Sequence, residues 1–64
     1  MCLATVYNDT RAPENLLCKN IMDIRFQDGK LVFTDIFGVR NVVDATLEKI
    51  NLSDNYVLVK KNES

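Results

Sequence analysis

An all-β fold, a small barrel of five to six short strands, is what this sequence predicts, and three observations carry that expectation. Apolar and polar residues alternate in short segments at near-even spacing. The dipeptide Asp28-Gly29 supplies the two positive φ angles of a tight hairpin turn between two of those segments. With only 64 residues, the chain reads as a single domain over 1–64, and consecutive hairpins in so short a chain favour an SH3-like, closed or half-open barrel over a sandwich.

Cys2 to Asn8 reads as the first strand, with Cys2, Ala4 and Val6 on one face and Leu3, Thr5 and Tyr7 on the other. Asp9 to Asn15 is polar and contains Pro13, which lacks a backbone donor, so a loop is expected there. Leu16 to Gln27 forms a long second strand. Strict alternation places Cys18, Met22, Ile24 and Phe26 on its inner face, and Lys19, Ile21, Asp23, Arg25 and Gln27 on a solvated outer face. After the Asp28-Gly29 turn, Lys30 to Phe37 runs back. Leu31, Phe33 and Phe37 oppose Val32 and Ile36, and a strand apolar on both faces is central or covered by a second copy. Gly38 permits a bend or bulge, and Val39 to Val43 follows as a short strand. Asp44-Ala45-Thr46 suits either a helical turn or a connection into Leu47 to Leu52. Ser53-Asp54-Asn55 is a turn by composition, and Tyr56 to Lys61 alternates as the last strand.

A chain this short buries only about 60% of the surface exposed when unfolded. Below roughly 70 to 80 residues, a metal, a disulfide or a partner chain commonly adds the missing stability. Two cysteines allow one bridge at most. With no secretory pattern at the start, a reduced thiol pair in the cytoplasm is the expectation. No apolar run reaches the roughly 20 residues that a bilayer crossing requires. Eight basic residues against nine acidic ones give a net charge of −1, which offers no electrostatic case for nucleic acid or an anionic membrane. Histidine is absent. Its absence removes the usual general base, the Ser-His and Cys-His pairings, and the commonest zinc ligand, so the chain is not expected to be an enzyme.

Cys2 is the residue with the most chemistry to offer. A cysteine so close to the start can present its thiolate, the chain amine and the amide nitrogen of Leu3 to one ion. If Met1 is trimmed, thiolate and amine close a five-membered chelate ring, and the Leu3 nitrogen lies within reach of a second. Sulfur and nitrogen donors in a plane suit Ni(II) or Cu(II) better than Mg or Ca. A half-buried strand cysteine is the competing reading of the same residue. Cys18, among Met22, Ile24 and Phe26, reads as a small buried hydrophobe, and Met22 as a core filler rather than a thioether ligand. The aromatic residues Tyr7, Phe26, Phe33, Phe37 and Tyr56 read as core or interface, since no basic groove accompanies them. Asp23, Asp35, Asp44 and Asp54 show no paired-carboxylate spacing.

The opening Met1-Cys2-Leu3-Ala4 with Val6, the Ile21-Met22-Asp23-Ile24 strand, the Asp28-Gly29 hairpin, Phe33-Thr34-Asp35-Ile36-Phe37-Gly38 and Lys49-Ile50-Asn51-Leu52 together resemble the CooT family of small nickel-binding proteins. The resemblance spans the chain and implies an SH3-like barrel that works as a homodimer, binding Ni(II) through the second-position cysteine. It also implies a part in maturation of nickel-iron carbon monoxide dehydrogenase, or in nickel handling more broadly. Only Cys2 carries over as a side-chain ligand, beside which the Leu3 backbone nitrogen lies within chelate reach; Cys18 has no counterpart in the motif. The expectation is therefore a non-enzymatic metallochaperone or nickel store. The alternative, from a different class, is a small RNA- or protein-binding module with a structural Cys2.

Overall fold

A computed structural model describes residues 3–62. Six strands form one sheet among these residues: β1 (Ala4–Asn8), β2 (Leu16–Gln27), β3 (Lys30–Asp35), β4 (Arg40–Val43), β5 (Ala45–Asn51) and β6 (Tyr56–Lys61). The spatial order is β4-β3-β2-β1-β6-β5, and the sheet curls into a half-barrel. Adjacent strands are antiparallel except β1 and β6, which run parallel from Thr5 opposite Tyr56 to Asn8 opposite Val59. The first and last strands are thus neighbours, a non-hairpin pairing that local alternation does not encode.

The expected all-β fold is present, and its local signals are realised. Asp28 and Gly29 both take positive φ, 53° and 76°, the twist that a two-residue hairpin needs. The Asp9–Asn15 loop contains a short 3-10 turn at Pro13–Asn15. Pro13 starts it at a position where a missing N–H costs nothing, and Ala12 before it is extended, as a residue preceding proline must be. The side chain of Asn15 donates to the Thr10 hydroxyl at 2.8 Å and ties the loop to itself. Arg11 lies over the Tyr56 ring at 4.4 Å, with Lys49 at 5.5 Å, so a cation–π stack pins this loop to the start of β6. At the Val43–Ala45 corner the chain makes no helical turn. Ala45 already pairs with Lys61, and Asp44 accepts a hydrogen bond from the Asn62 side chain at 3.0 Å.

Strand β2 departs from strict alternation, which corrects its predicted faces. Its register against β1 slips between Ile21 and Cys18, where Asn20 takes a positive φ of 59°. Against β3 it slips again between Ile21 and Asp23. Each extra residue turns the following side chains to the other face of the sheet. Ile21, expected outside, is therefore core at 2% exposure, while Met22, expected inside, is 51% exposed. Ile24 returns to the core side opposite Phe33. Phe26 stands opposite the buried Leu31 but lies near the hairpin end, past most of the core, and is 71% exposed.

The core consists of Val6, Ile21, Leu31, Phe33, Ala45, Val57 and Val59, with Ala4, Leu17, Cys18, Ile24, Val43 and Leu47 packed on it. Strand β3 is internal, between β2 and β4, and Leu31, Val32 and Phe33 are all buried, so its two-sided apolar character reflects a central strand. Phe37 does not join Leu31 and Phe33. The strand ends at Asp35, the chain turns, and Phe37 is 85% exposed.

Candidate metal centre at the start of the chain

Cys2 lies outside the described residues. Leu3 is the first of them, half-buried and immediately ahead of β1. From there the backbone is quickly secured. Ala4 pairs with Ile21, the Thr5 amide donates to the Asn55 carbonyl at 3.1 Å, and Val6 is fully buried. The start of β1, the β5–β6 turn and the end of β3 gather at one end of the half-barrel, because Thr5 pairs with Tyr56 and Ile21 faces both Ala4 and Asp35. Beside Ala4, a mainly apolar groove of about 400 Å³ is lined by Ile21, Met22, Ile24, Ile50, Leu52 and Tyr56. Leu3 therefore leads into a fixed strand bordered by apolar surface.

Among the described residues, no three His, Cys, Asp or Glu side chains converge closely enough to hold an ion. The carboxylates are dispersed, and four of them are engaged. Asp23 pairs with Arg25 at 3.0 Å, Asp54 lies 3.8 Å from Arg11, and Asp35 and Asp44 hold backbone or amide groups. A closed site of four side-chain ligands, as structural zinc requires, cannot be assembled from these residues.

Cys18 stands opposite Val6, half-buried against the core. Burial first, and the negative charge of Asp35 second, push its thiol up to about 11. Metal ligation needs the thiolate, so Cys18 is disfavoured as a ligand near neutral pH. Its place on the inner face agrees with the small-hydrophobe expectation. This yields a kinetic expectation. In a Cys2→Ser variant, alkylation of Cys18 by iodoacetamide at pH 8 should run on the order of tenfold slower than in urea-unfolded chain, and climb only as pH approaches 11. Equal rates in folded and unfolded protein would contradict a shielded, protonated thiol.

Two features went unread in the sequence. The Arg11–Tyr56–Lys49 stack joins residues from three segments and leaves no local pattern. The other is the β3–β4 tip, where Ile36, Phe37 and Val39 are all exposed; the strand read through Lys30 to Phe37 ends at Asp35 because the turn depends on Asp35 as an acceptor.

The fold and this chain end together define a small, curled, six-stranded half-barrel of the SH3-like kind. Its described residues include no helix long and apolar enough to cross a membrane. The chain belongs to the CooT family: the family model for the CO dehydrogenase accessory protein CooT matches residues 1–60. A crystal structure of a CooT candidate from Carboxydothermus hydrogenoformans superposes with a TM-score of 0.83 at 22% identity, covering 97% of this chain and 100% of that one. At that identity the likeness speaks for the fold. No curated protein matches the chain.

Proposed function

We propose that this CooT family member is a cytoplasmic, non-catalytic homodimer that binds Ni(II) through the Cys2 thiolate and the Leu3 backbone nitrogen. The chain amine joins them where Met1 is removed. It holds or carries the ion for a recipient nickel enzyme, with carbon monoxide dehydrogenase the recipient that the family description indicates. The observation that carries this reading is the family match, which runs from residue 1 and so includes the Met1-Cys2-Leu3-Ala4 opening.

The described residues are compatible with it in two respects. They supply no competing cluster of ligands, and they hold the second thiol protonated. Ni(II) favours planar N and S donors, which one chain end supplies in part and two ends supply in full. Such a site is open and labile, unlike a closed structural one, and lability suits an ion that must be passed on. Thiol and amine have reference pKa values of about 8.5 and about 8, so both must lose protons to bind, and affinity should fall as pH drops.

Native mass spectrometry with and without Ni(II) tests the reading in one measurement. The expected spectrum shows a two-chain species that gains nickel and reports whether Met1 is retained. Masses that stay unchanged on adding Ni(II) would overturn it.

A further inference from the structure

We draw no further inference here: the strongest candidate, the exposed apolar surface that runs from the β3–β4 tip to the groove beside Ala4, carries none because nothing in the structure shows what covers it.

Discussion

Cys2→Ser is expected to abolish stoichiometric Ni(II) binding while leaving the half-barrel folded. The hydroxyl that replaces the thiol is a hard, weakly acidic donor, and Ni(II) in planar nitrogen and sulfur surroundings gains most of its affinity from the thiolate. No described side-chain cluster can take over. The aspartates are scattered in separate ion pairs and turns, and Cys18 is held protonated at neutral pH with its value pushed up to about 11. Loss should therefore be on the order of a hundredfold or more in affinity, about 3 kcal/mol or above. Isothermal titration with Ni(II), run beside a urea melt of the same variant, separates lost binding from lost fold. Undiminished nickel titration by the serine variant would remove Cys2 from the site.

Phe33→Ala is expected to leave the chain largely unfolded at 25 °C. Phe33 is fully buried, the largest such side chain among the described residues, and lies in the central strand between Ile24 and Asn41. Removing a buried phenylalanine costs about 3–5 kcal/mol, transfer and cavity together. A single core of this size supplies rarely more than about 3–5 kcal/mol of net stability. The cost is thus comparable to the whole margin. Circular dichroism and a urea titration check it. A cooperative transition retaining more than half of the original midpoint would mean that another source, such as a second copy, carries much of the stability.

Much of the strand plan was legible because it rests on neighbours in sequence. The Asp28-Gly29 turn, the Tyr56–Lys61 strand and the two-sided apolar run through Leu31, Val32 and Phe33 all depend on local chemistry. Misreadings arose where a residue's environment is set from elsewhere. Ile21 and Met22 exchanged roles because two slips in β2 answer to different partners, β1 and β3, and nothing beside Asn20 in the sequence announces a positive φ there. Phe37 was placed on the strand with Leu31 and Phe33, as core or interface, because alternation cannot see Asp35 folding back to accept two amides. Of the candidate site, Cys2 and Leu3 were singled out by chain position and donor chemistry. The groove beside Ala4 was hidden, because it is assembled from β1, β2, β5 and β6.

The parallel pairing of the first and last strands bears on how the molecule comes into being. β6 comes after the other five strands in chain order yet sits inside the sheet, between β1 and β5, and brings Val57 and Val59 to the core. Until those residues leave the ribosome, β1 has no companion on one flank and β5 has none at all. The nascent polypeptide must therefore wait for β6 before the sheet can close, and the long sequence span of the β1–β6 contact makes closure slow. A chain cut before β6 would be an open sheet with β5 unpaired, not a smaller version of the same half-barrel.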